Sequence, residues 1–122
     1  MTVTRRVSWN DCDPSGLIRY QAAFDWFVDA EVEFLRSRGL QHLFERMPRV
    51  AARSEYVVPL RYDDLVEIEV SVAEIGRSSV TYDFVARRDG RDAVTASVTC
   101  VHVADGRAAS IPDDVRAALE GS

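Results

Sequence analysis

The chain has 122 residues, 47% of them hydrophobic and 29% charged. That is the balance of a single globular domain over residues 1–122, and it argues against disorder. Basic residues number 15 and acidic residues 20, a formal charge of −5, so nucleic acid, whose binders present a basic face, is not an expected partner. Every basic residue is Arg; without a lysine amine, Schiff-base chemistry is excluded. The first twenty residues hold no apolar run, and no later stretch approaches the roughly 20 apolar residues of a membrane span. The expectation is a cytoplasmic protein with no membrane partner. Cys12 and Cys100 match no metal or redox spacing and read as free thiols, and neither a metal nor a cofactor is expected. A core of this size is small, which makes self-association unsurprising.

Thr2 to Asn10 places Val3, Val7 and Trp9 on one parity and predicts a first strand. Asn10 to Gly16 gathers Asn, Asp, Pro, Ser and Gly and must be a loop. From Tyr20 to Arg38 the period becomes helical. Ala23, Trp26, Phe27, Ala30 and Phe34 form one apolar stripe and Phe24, Val28, Val32 and Leu35 a second, leaving Asp25, Asp29, Glu33 and Arg36 as a narrow polar third. Such a helix is expected to be enclosed. Gly39 is its stop, and a short helical turn over Gln41–Arg46 ends at Pro48.

The remainder reads as strands. Tyr56, Val58, Leu60 and Tyr62 alternate, Asp63-Asp64 turns, and Val66 to Val72 alternates again. Gly76-Arg77-Ser78 is the next turn, before Val80, Tyr82, Phe84 and Ala86. Asp89-Gly90 signals a hairpin, Val94 to Val103 the last strand, and Pro112 to Leu119 a terminal helix. Tight turns between successive strands force antiparallel pairing. The predicted fold is therefore α+β, a five-stranded antiparallel sheet wrapped around one long helix.

The chemistry concentrates at residues 10–20. Asp13 has an ordinary pKa of about 3.9 and is ionised at neutral pH. Just beyond it the helix opens on N–H groups without internal partners, which favour a negatively charged oxygen. A carboxylate facing such donors is a minimal arrangement for attack on an acyl carbonyl, and Gly16 lets a ligand approach the backbone. Asp-Pro-Ser-Gly is equally an ordinary turn in which Asp13 accepts a local hydrogen bond. On chemistry alone both readings stand.

The run Val7-Ser8-Trp9-Asn10-Asp11-Cys12-Asp13-Pro14-Ser15-Gly16-Leu17-Ile18-Arg19-Tyr20, then an aromatic helix, then Pro59-Leu60-Arg61-Tyr62-Asp63-Asp64, resembles the 4-hydroxybenzoyl-CoA thioesterase family of hotdog-fold enzymes. The likeness spans nearly the whole chain. It implies a hotdog fold, assembled as a homodimer or tetramer, that hydrolyses a thioester of coenzyme A or of an acyl carrier protein. It places the catalytic carboxylate at Asp13, as nucleophile or as base for water, and the oxyanion donor at the Tyr20 N–H. The aromatic helix and the likeness together suggest an aryl or polyketide-like acyl group, with the upper end of the Trp26 stripe lining its pocket. Arg19 departs from the family pattern, either pairing with a substrate carboxylate or phosphate or pointing to solvent. Arg77 is the single basic residue in a turn that is more basic in the family, where it contacts the CoA nucleotide.

Other candidates are weaker. His42 and His102 lie far from the loop in sequence, and Asp63 and Asp64 read as turn formers. Cys12 lacks a base and sits between two acids that raise its pKa. Glu31 and Glu33 are expected at solvent or a subunit boundary. A hydratase is disfavoured because its Asp-x-Asn-Pro-x-His pattern has Asp13 and Gly16 here in place of the Asn and His. A non-enzymatic acyl-CoA or acyl-carrier binding module is the rival from another class.

Overall fold

The structure, a computed structural model, describes residues 1–121. Its main elements are β1 (Thr2–Arg6), α1 (Ala22–Ser37), β2 (Arg49–Tyr56), β3 (Leu65–Ile75), β4 (Ser79–Arg88) and β5 (Arg91–Val101). A two-stranded flap follows, β6 (Val103–Ala104) and β7 (Arg107–Ala108), and then α2 (Asp113–Glu120). Single 3-10 turns occupy Trp9–Asp11 and Gln41–Arg46. The five long strands form one antiparallel sheet in the order β1-β3-β4-β5-β2, with α1 against one face. This is the expected α+β hotdog architecture.

α1 packs its first stripe inward. Ala23, Trp26, Phe27, Ala30 and Phe34 are all buried, with Phe27 stacked on Phe84 at 5.0 Å and Phe34 edge-on to Tyr82 at 6.2 Å. The helix ends in a Schellman closure: Leu40 N–H donates to the Leu35 carbonyl (2.8 Å) and Gly39 N–H to that of Arg36 (3.1 Å). Gly39 supplies the φ of +71° that this closure requires. The second stripe is not enclosed as expected. Leu35 is buried, but Val28 is 38% exposed and Phe24 and Val32 are half-buried. Phe24 and Val28 line the seam between α1 and the edge strand β2.

Four further expectations change. β1 stops at Arg6, because the Val7 N–H turns to the Asp64 carbonyl (2.8 Å) and Trp9 enters the 3-10 turn, 64% exposed. The second strand is Arg49–Tyr56, not Tyr56–Tyr62, and it pairs with β5 rather than β3. Residues 57–62 instead form a strap whose Leu60 drops into the core while Tyr62 stays outside, which is how an alternation arises without a strand. Finally, β5 ends at Val101, and Asp105 and Gly106, both at positive φ, turn the β6–β7 flap. Asp89 and Gly90, with φ of 51° and 77°, make the expected hairpin turn.

The enclosed stripe carries the stability of the domain. Phe34→Ala is expected to cost about 3–5 kcal/mol, read as a lower denaturant midpoint with an unchanged slope.

Candidate active site

The loop before α1 is held on three sides. Asp11 is buried, accepting the Ser8 N–H (2.9 Å) and facing the Arg5 guanidinium (3.5 Å). Its carbonyl accepts the Arg19 N–H at 2.7 Å. Cys12 bridges Ile18, and Leu17 bridges Arg61; the Ile18 N–H donates to the Leu60 carbonyl at 3.0 Å. The strap at 57–62 thus fixes the loop to the sheet. Within it, Asp13 N–H donates to the Leu17 carbonyl and Gly16 N–H to the Asp13 carbonyl, both at 2.9 Å. Gly16 adopts φ +83°, which explains glycine there without any close contact; a Cβ would meet nothing within 4 Å.

Asp13 satisfies both readings of the sequence at once. Its Oδ1 accepts the Ser15 N–H at 2.8 Å and the Ser15 hydroxyl, an ordinary turn. Its Oδ2 accepts from no group among the described residues. The side chain is exposed, and the two Ser15 donors hold its carboxyl below the usual carboxylate range. Seven residues on, no described group accepts the Tyr20 N–H, while the Tyr20 carbonyl accepts the Tyr56 hydroxyl. Tyr20 and Tyr56 border an apolar cleft of about 320 Å³ with Leu17, Ile18, Val58 and Pro59. Asp13 stands outside that lining, at the loop tip.

The remaining candidates separate. Arg19 is half-buried, and its guanidinium donates to the Asn10 carbonyl at 3.1 and 3.3 Å, bracing the loop. Trp26 is corrected from pocket wall to core, having 0% exposure. Arg77 lies at the far end of β3 from the strap, about 33 Å away at the rise of a strand, and donates to the Ser110 hydroxyl (2.6 Å). One chain therefore does not bring Arg77 to Asp13. His42 is exposed, and His102 is buried against the Ala109 carbonyl (3.2 Å). Burial, then Asp11 and Asp13, raises the Cys12 thiol pKa. Glu33 is at the surface beside Arg36, whereas Glu31, expected at solvent or a subunit boundary, is buried within the chain and paired with Arg49 at 2.8 Å. Sequence reasoning also missed Tyr56, whose place in the alternation hid its hydroxyl's reach to the helix start.

The sequence model of the Thioesterase-like superfamily matches residues 7–119, and the chain belongs to that family, as a thioester hydrolase. Acyl-CoA thioesterase YbgC of Haemophilus influenzae is 25% identical over 122 residues, 93% of this chain and 90% of that one. The 4-hydroxybenzoyl-CoA thioesterase of Pseudomonas sp. strain CBS-3 is 29% identical over 87 residues, 65% of this chain and 62% of that one. A crystal structure of an Asp→Asn mutant of 4-hydroxybenzoyl CoA thioesterase, complexed with 4-hydroxybenzoyl CoA, superposes with a TM-score of 0.87 at 25% identity, covering 98% and 97% of the two chains.

The Ser15 contacts predict a pH signature. A carboxylate held below its ordinary pKa stays ionised as pH falls and loses its charge only below that range. Activity that depends on it should persist into mild acid. Ser15→Ala should shift the acid limb of the kcat profile to higher pH; an unmoved limb would show that this turn does not tune the reacting group.

Proposed function

We propose that the enzyme hydrolyses the thioester of an aryl acyl-CoA, with Asp13 as nucleophile and the Tyr20 N–H as oxyanion donor. The observation that carries this reading is the pair of open valences in one strapped loop: a free Asp13 Oδ2 and an unclaimed N–H at the helix start. In the first step Oδ2 bonds to the thioester carbon, the carbonyl oxygen takes the negative charge at the Tyr20 N–H, and the C–S bond breaks to release the CoA thiolate. Water then cleaves the acyl–aspartyl anhydride, releasing the acid and restoring the carboxylate. The open Oδ2, held in place by the anchoring of Oδ1 on Ser15, is the feature that supports covalent attack. The relatives named for 4-hydroxybenzoyl-CoA and the aromatic border of the cleft support an aryl group carried by CoA rather than by an acyl carrier protein.

The working form is a homodimer. β2 is an edge strand of eight residues with one side unpaired, a surface that seeks a partner strand. Val50, Tyr56 and Val57 are exposed along and just beyond it, and the open stripe of α1 lies beside it. A second copy there would cover the cleft at Tyr20 and dry a site whose carboxylate is otherwise in water, strengthening the oxyanion contact.

Asp13→Asn keeps the shape and removes the charge. It should lower kcat on a panel of aryl- and alkyl-CoA thioesters, followed by thiol release, by at least about a hundredfold, with an unchanged melting temperature; undiminished turnover would end the assignment. Light scattering of the purified protein should give twice the chain mass. A binding module would instead retain acyl-CoA over hours without releasing acid.

A further inference from the structure

One residue breaks the apolar parity of β1. Val3 and Val7 pack against the core, and Arg5, between them on the same side, is half-buried opposite Val66. Its guanidinium lies 5.7 Å from the centre of the Trp26 ring and faces two carboxylates. Nη1 donates to Asp29 Oδ2 on α1 at 3.4 Å, and Nη2 stands 3.5 Å from Asp11 Oδ2 in the loop. The place is a costly one for a cation: Arg5 Nε and the Trp26 indole N–H are both buried and meet no acceptor among the described residues. A valine or leucine would remove one of those stranded donors and restore the alternation. Where a chain breaks a local rule at such a cost, a functional demand is the expected reason. Arg5 has no part in the lining of the cleft at Tyr20, so that demand is not contact with the acyl group.

We infer that Arg5 is a positioning residue of the hydrolysis and that, through Asp11, it sets the spacing between Asp13 Oδ2 and the Tyr20 N–H. This inference rests on the reading that those two groups carry the reaction. Asp11 joins them. Its side chain accepts the Ser8 N–H, closing the 3-10 turn two residues before Asp13. Its carbonyl accepts the Arg19 N–H, directly before Tyr20, at 2.7 Å. A displacement of Asp11 therefore moves both groups. The Ser8 contact ties Asp11 only to its neighbours in sequence, whereas Arg5 ties it to the sheet and, by way of Asp29 and Trp26, to α1. A planar guanidinium suits that task, since it engages two carboxylates while lying over an indole face. Attack on a carbonyl needs the reacting atoms about 3–3.5 Å apart, and a misplacement of about 1 Å can cost about a hundredfold in rate.

Turnover and stability together tell a positioning role from a structural one. Arg5→Met removes the cation. Arg5→Met with Asp11→Asn also avoids stranding a buried charge and leaves an amide oxygen for the Ser8 N–H. Thiol release is followed with 4-hydroxybenzoyl-CoA, or with the fastest ester of the aryl- and alkyl-CoA panel. In both variants kcat should fall about tenfold or more, with KM within twofold of wild type. The double variant should melt no lower than wild type. Arg5→Lys, which keeps the charge but not the planar fork, should lie between Arg5→Met and wild type in kcat. Wild-type kcat in the double variant would overturn the inference, as would a raised KM at unchanged kcat. A kcat loss that tracks a lower melting temperature, or a double variant that does not fold, would show Arg5 to be structural and overturn it as well. The Asp13→Asn protein keeps the two readings apart. If it loses turnover while the Arg5 variants keep theirs, the inference falls and the hydrolase reading stands; if it keeps full turnover, the hydrolase reading falls and takes the inference with it.

Discussion

A helix with two apolar stripes and only one sheet to cover them governs this structure. The sheet takes the stripe of Trp26, Phe27 and Phe34, which fixes α1 across the inner faces of β3 and β4. The stripe of Phe24 and Val28 is left along the seam beside β2, where one cleft opens, while the cleft at Tyr20 lies between the loop before α1 and the strap. This open space comes from incomplete burial rather than from a cavity cut into the core. Filling it with side chains would remove the exposed apolar surface and the proposed binding site together.

The start of the same helix carries the chemistry of the proposed mechanism. Because α1 is pinned by its buried stripe, and the preceding loop by Asp11, the strap and the Arg19 brace, the Tyr20 N–H has little freedom. Tyr56 fixes the next carbonyl from the opposite side. Such preorganisation is what an oxyanion donor needs, since it spends no free energy on reorientation as charge develops. The Asx turn at Asp13 fits the same proposal: one oxygen anchors the side chain and the other is left open.

Much of this was legible in the residues. The helix, its glycine stop, the three tight turns at Asp63-Asp64, Gly76-Ser78 and Asp89-Gly90, and the loop 10–16 all rest on local rules, and local rules hold where neighbours in sequence are neighbours in space. β2 was not legible. Arg49–Tyr56 is an edge strand with most of its residues exposed, so burial imposes no alternation on it, and the nearby strap imitates one. Glu31 was hidden for a related reason: its helical position beside the polar stripe suggests solvent, and only the tertiary approach of Arg49 from β2 makes it a buried pair. Trp26 was legible as core from its stripe and is fully buried; that burial leaves it no part in lining a pocket. The Asp13 site was legible as a set of residue types; the division of labour between its two oxygens required the turn geometry.

The central claim is that a thioester carbonyl lies between Asp13 Oδ2 and the Tyr20 N–H. The most direct measurement is a crystal structure of the Asp13→Asn protein with an intact aryl-CoA thioester bound. The account predicts the carbonyl oxygen about 2.7–3.1 Å from the Tyr20 nitrogen, with the thioester carbon in contact with the side chain at position 13. A thioester bound elsewhere on the chain, or a carbonyl turned away from the helix start, would contradict it.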